Sequence, residues 1–136
     1  MSMAVKSLAA QYKVILDCGC TFTMSGDISI FDKSSLIPID ESVGLAESGM
    51  SVNATHYGKI HIGNRTIDAL YVPDFKQTMV SMGQLEKMGL RYAAMGNMRN
   101  FLTPNGSIFL SFELANNNLY NLASSPHSTS SSTSNA

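Results

Sequence analysis

Apolar residues in this chain come in short runs broken by Gly, Asn, Asp and Pro, a rhythm of strands and turns rather than of helices. Tyr12 to Leu16 reads as an apolar strand that ends at Asp17-Cys18-Gly19. Thr21 to Ile39 mixes Ser, Gly and Asp with isolated apolar residues and reads as a loop carrying one short strand. Ser42 to Ala46 and Val52 to Ile62 flank Glu47-Ser48-Gly49-Met50-Ser51, a hairpin tip. Gly63-Asn64 supplies a tight turn before the strand Thr66 to Val72, and Pro73 ends that strand by removing a ladder donor. One helix is signposted: Ser81-Met82-Gly83-Gln84 fits a capping box, Leu85 and Met88 give an apolar stripe, and Gly89 suits a left-handed stop. Two hairpins follow, turning at Gly96-Asn97 and at Asn105-Gly106; the second pair, between Phe101-Leu102 and Ile108-Phe109-Leu110, is the strongest hairpin signal in the chain.

These elements predict an all-β fold, a small closed barrel with one short helix in its C-terminal third. From Ser124 the sequence turns to Ser, Thr and Asn and reads as a flexible polar tail or linker. The expected organisation is an N-terminal extension over 1–11, one domain over 12–123, and the tail over 124–136.

Composition narrows the function classes. A chain of 136 residues with net charge −1 suits one domain, and its Lys and Arg are scattered rather than clustered. That argues against a nucleic-acid or membrane surface, since phosphates call for grouped cations. No apolar run approaches the roughly 20 residues that cross a bilayer. The start, Met1 to Lys6, lacks the apolar segment of a secretory signal, so a reducing cytosol is expected and the three Asn-x-Ser/Thr sequons carry no meaning there. Two cysteines one residue apart make a poor disulfide framework.

Asp17 is the candidate for chemistry. A carboxylate at the end of a buried strand, followed by a glycine turn, is how aspartic proteases present half of a catalytic pair, and the chain has this arrangement once. Asp-x-Gly alone is also an ordinary turn. Three blocks in order extend the signal: Val14 to Asp27, with Asp17-Cys18-Gly19-Cys20-Thr21 and Met24-Ser25-Gly26-Asp27; Leu70-Tyr71-Val72-Pro73-Asp74 leading to Ser81-Met82-Gly83-Gln84-Leu85; and Asn118-Leu119-Tyr120-Asn121-Leu122. Together, over roughly Tyr12 to Leu122, they resemble the protease region of copia-type retrotransposon polyproteins.

The resemblance implies a retropepsin-like aspartic endopeptidase, active as a homodimer, that cuts its own polyprotein. Asp17 from each subunit would form the dyad, and Gly19 would let the loop turn beneath it. Cys18, Cys20 and Thr21 complete the catalytic loop, Glu47, Ser48, Gly49, Met50 and Ser51 fall at the tip of the flap over a bound peptide, and Met79-Val80-Ser81 falls behind the loop. It also implies a cytoplasmic setting within a virus-like particle, with no cofactor and no metal. The partners are then a second copy and a peptide or polyprotein substrate, and neither nucleic acid nor membrane. Cys18 departs from the family, which has Ser or Thr there bonding across the dimer; a thiol bonds more weakly. The alternative is therefore a retroelement-derived domain that has lost catalysis and serves as a dimeric peptide-binding or assembly module. Two rival chemistries use the cysteines. Cys18 and Cys20 with His56 and His61 form a zinc set at odds with strand parity, since the two histidines fall on opposite faces. Cys18 as a nucleophile with a histidine base lacks any local signature.

Overall fold

The computed structural model describes residues 13–44 and 49–123. Ten strands lie in one sheet: β1 (Lys13–Asp17), β2 (Met24–Ser25), β3 (Ile37–Gly44), β4 (Ser51–Ile62), β5 (Arg65–Tyr71), β6 (Gln77–Ser81), β7 (Arg91–Met95), β8 (Met98–Leu102), β9 (Ile108–Leu114) and β10 (Tyr120–Leu122). A single helix, α1 (Met82–Lys87), follows β6 directly. The lateral order is β3-β4-β5-β2-β6-β1-β10-β9-β8-β7. Among the described residues no helix is long and apolar enough to cross a membrane.

All-β with one short helix is what the apolar rhythm predicted. The closed barrel is not what forms, because among the described residues β3 and β7 are both sheet edges with no ladder between them. The sheet curls, and its two arms meet through side chains. Ile60 and Ile62 of β4 and Ile67 and Ala69 of β5 share one buried cluster with Phe101, Leu110 and Phe112 of β8 and β9. At the rim of this cluster Arg65 spans the arms, donating from Nε to Phe109 O at 3.0 Å and from Nη2 to Ile108 O at 2.7 Å. Twist brings the arms face to face, and burial of their apolar faces holds them there at about 1.5–3 kcal/mol for each large side chain.

A second, smaller cluster lies on the opposite face of β5: Met24, Ala54, Leu70 and Val72, with Cys20, Phe22, Val43 and Tyr57 packed around it. Ala69 and Leu70 are neighbours in sequence yet serve different clusters, as the period-2 alternation of a strand requires. This cluster is what joins the segment after Asp17 to the β3-β4 hairpin.

Several elements differ in extent from the sequence reading. The stretch read as loop up to Ile39 contains two 3-10 turns, Ile28–Ile30 and Lys33–Ser35, each capped by a preceding aspartate, and β3 already begins at Ile37. β6, not assigned as a strand from periodicity, sits near the middle of the sheet. The turn at Asn105-Gly106 is a longer loop, in which Thr103 N donates to Ser107 O and Gly106 takes a φ of 90°. In α1, Ser81 caps as expected, but Met88 is exposed at the C-cap and Gly89 follows with a φ of 91°. Tyr12, Leu45, Ala46, Glu47, Ser48 and the segments over 1–11 and 124–136 lie outside the described residues.

Candidate active site

β1 runs parallel to β6, with Asp17 opposite Ser81 at the end of the ladder. The chain then crosses the end of β6 and returns antiparallel on its other side as β2, with Met24 opposite Met79. The loop over 18–23 thus straddles β6 at the point where α1 begins. Nearly every polar group that could hold it in place is used. Ser81 Oγ donates to Cys20 O at 2.8 Å and accepts from Gln84 N at 3.1 Å, while Ser81 N donates to Thr23 Oγ1 at 3.0 Å. Gln84 Oε1 accepts from Thr23 N at 2.7 Å and Gln84 Nε2 donates to Asp68 O at 2.8 Å. The capping box is therefore one-sided. Gln84 does not return to its own cap; it ties the loop to β5, and Thr23 serves the cap's backbone instead.

Asp17 is half-buried at the loop's start, and its Oδ1 accepts from Gly19 N at 2.7 Å. Gly19 does not occupy the left-handed region that an ordinary Asp-x-Gly turn would use. A side chain there would meet Asp17 Oδ1 at an ordinary 3.4 Å, so neither backbone strain nor crowding within one chain demands glycine at this position. Four other aspartates have structural tasks. Asp27 and Asp32 cap the 3-10 turns through Ser29 and Ser34, and Asp68 pairs with Lys59 at 2.7 Å. The Asn53 amide, with its nitrogen turned toward β3, donates to Asp40 Oδ1 at 3.1 Å.

The two cysteines differ in setting. Cys18 is exposed, its Sγ 3.5 Å from Met82 Sδ. Cys20 is half-buried and its Sγ donates to Asp17 O at 3.8 Å. Burial, and then the charge of Asp17, push the Cys20 thiol up to about 12. A thiol held neutral is a poor nucleophile at neutral pH. His56 bonds its neighbour Thr55 and His61 bonds Thr66. Among the described residues no group of three or more His, Cys, Asp or Glu is placed to hold a metal ion.

Between the loop and the hairpin lies a cleft of about 470 Å³. Thr21, Phe22 and Met24 wall one side and residues 41–44 of β3 the other, with Tyr57 and Leu70 between them. Phe22 and Tyr57 stack at 5.9 Å. Tyr57's hydroxyl is raised above its ordinary pKa by burial and by a hydrogen bond with Asp68, whose carboxyl is in turn lowered chiefly by Lys59. Of the expected site residues, the structure brings Cys20, Thr21 and the chain around Asp17 to one edge of this cleft, although Asp17 does not itself line it. At the hairpin tip Gly49 takes a φ of 71°, Met50 is exposed, and Ser51 opens β4; Glu47 and Ser48 are outside the described residues. Phe22, Tyr57 and Gln84 were not singled out as site residues from the sequence. The alternation of β4 shows which face Tyr57 takes, but nothing local links it to Phe22.

A sequence model of the family described as "Pol polyprotein, beta-barrel domain" matches residues 14–90, more than half of the chain. No curated protein matches it.

Proposed function

We propose that this chain, which belongs to the Pol polyprotein beta-barrel domain family and is a retroelement Pol-derived domain, is the aspartic endopeptidase of a copia-type polyprotein, working as a homodimer. One observation carries the reading. A half-buried carboxylate at a strand end, Asp17, opens a loop fixed from both sides by Ser81, Gln84 and Thr23, and that loop faces a peptide-sized cleft under a hairpin. Asp27 and Asp32 serve caps, Asp68 an ion pair and Asp40 the Asn53 amide, whereas Asp17 stands at the start of the loop beside the cleft.

The chemistry needs two carboxylates, and one chain offers Asp17 once, so the partner supplies the second. Two such groups about 3 Å apart cannot both ionise cheaply and hold one proton between them across an acidic range. The ionised Asp17 takes a proton from a water, which attacks the scissile carbonyl. The protonated Asp17 donates to the carbonyl oxygen, and the roles reverse as the amine leaves. The bond from Gly19 N fixes the rotamer of its own Asp17. The tip of the β3–β4 hairpin closes over an extended peptide lying beside the strands, which excludes bulk water. The natural substrates are junctions of the domain's own polyprotein, in the cytoplasm within a virus-like particle.

Cys18 supports a second reading, an inactive dimeric peptide-binding or assembly module. Its thiol sits exposed against Met82, and a thiol gives a weaker bond across a dimer than a hydroxyl. One experiment separates the two. The domain is expressed with flanking polyprotein segments as wild type, Asp17→Asn and Cys18→Ser, and fragments are followed by mass spectrometry between about pH 4 and 7. The proteolytic reading expects cleavage by wild type and Cys18→Ser and none by Asp17→Asn. A folded dimer that cuts nothing in any form overturns it and leaves the binding module.

A further inference from the structure

We infer that Glu41 makes the cleft selective for extended peptides that carry a Lys or Arg two positions from a large apolar residue. This rests on the proposed peptide-binding reading and specifies the substrate class that the reading leaves open.

The cleft has an apolar body: Phe22 and Tyr57 stack along it, and Met24, Leu70 and Val43 belong to the cluster beneath. Such walls favour an aromatic or branched aliphatic side chain. Among the described residues Glu41 is the one charged residue lining it, and no Lys, Arg or His does. Glu41 and Val43 are two apart on β3, so they lie on the same face, the carboxylate at the mouth and the valine at the wall. The cations and anions nearby are already committed. Lys59 is paired with Asp68, and Asp40 takes the Asn53 amide, whose nitrogen also reaches the backbone oxygen of Glu41 at 3.2 Å. Among the described residues Glu41 makes no ion pair, so the cleft presents unbalanced negative charge to whatever enters. Asp17, at the loop's start, has the same sign.

Among the described residues β3 is also a sheet edge, with one side of its backbone paired to no strand. An extended peptide added there lays alternate side chains toward the cleft. A residue directed into the Phe22–Tyr57 wall then has the side chain two positions away on the same face, near the mouth where Glu41 stands. Glu41 is exposed, so the pair it forms is a rim pair, with an effect of about 3- to 5-fold on affinity that fades with salt.

The test separates binding from cleavage. Fluorescein-labelled octapeptides with a central Phe-Leu pair and Lys, Gln or Glu at the flanking positions are titrated by anisotropy against the Asp17→Asn dimer, which binds without cutting. The same series is run with Glu41→Gln and Glu41→Lys in that background, with far-UV circular dichroism confirming the fold. The inference expects Lys peptides to bind about 3- to 5-fold tighter than Gln peptides, no preference with Glu41→Gln, and preference for Glu peptides with Glu41→Lys. Peptides that bind equally well, or a Lys preference that survives Glu41→Gln, overturn the role of Glu41 and leave the peptide cleft standing. Failure of every peptide to bind overturns the cleft reading itself, and the inference with it.

Discussion

Gln84 is the side chain on which the geometry of the Asp17 loop most depends, and replacing it with Leu tests that directly. Leu has nearly the same volume and a high helix propensity, so neither a cavity nor the helix confounds the result. What is lost is a pair of hydrogen bonds, at 2.7 Å from Thr23 N and 2.8 Å to Asp68 O. Thr23 is fully buried, so its N–H is left with neither Gln84 nor water, a penalty of about 1–3 kcal/mol. The Asp68 carbonyl has two lone pairs and loses one partner, which adds a smaller amount. The sum is about 2–4 kcal/mol, partly offset because an apolar side chain replaces a buried amide that is only 8% exposed. Urea unfolding followed by circular dichroism reads this as a lower midpoint at unchanged slope. Hydrogen exchange adds a local test, since Gly19 and Thr23 amides are expected to lose protection before the amides of β8 and β9 do. Glu86→Gln, at an exposed site on the same helix, is the control and should fall within about 0.5 kcal/mol of wild type. If Gln84→Leu also falls within that margin, and Thr23 stays protected, the loop is held by something other than the Gln84 amide and the reasoning fails.

Gly26→Ala should be the most destructive small substitution near the site, because a Cβ there would lie 1.9 Å from Phe75 O and 2.9 Å from Val72 O, both backbone atoms. The expected outcome is a loss of several kcal/mol or no soluble folded protein, and a thermal midpoint within a few degrees of wild type would refute it. Cys20 should resist alkylation in the folded protein at pH 8 while Cys18 reacts, read by peptide mapping after iodoacetamide; equal labelling would contradict the burial of Cys20. Because the folded Cys20 pKa of about 12 lies above the ordinary value of 9.0, its contribution to stability is complete below pH 9 and is lost as pH rises toward 12. Cys20→Ala should therefore flatten the alkaline limb of stability against pH. Asp68 has the opposite sign: its pKa is lowered, so its contribution holds above the ordinary carboxylate range and disappears as pH falls through the lowered value. The stability difference between wild type and Asp68→Asn should accordingly be small at neutral pH, since the pair with Lys59 is largely exposed, and vanish in acid.

What could be read from the sequence is what short range decides. The Ser81 cap, the turn at Gly63 and the strand before Asp17 each depend on a few adjacent residues, and each appears where expected. The destination of the Gln84 side chain does not, because its partner Thr23 lies 61 positions away and a capping box supplies an equally good local use for the same amide. The first half of β3 was hidden for a different reason. Ile37-Pro38-Ile39-Asp40-Glu41 lacks clean alternation because the strand is an edge, mostly exposed on both faces, where proline and charge are tolerated. Those same residues bear on why the sheet does not close. A barrel needs β3 to pair with β7, and Pro38 withholds a donor, while a register shift between Pro38 and Glu41 bends the strand away from regular pairing. The open edge and the negative charge of the cleft are thus two consequences of one short segment. A strand regular and apolar enough to complete the barrel would have no unpaired edge to offer a peptide and no carboxylate to select one.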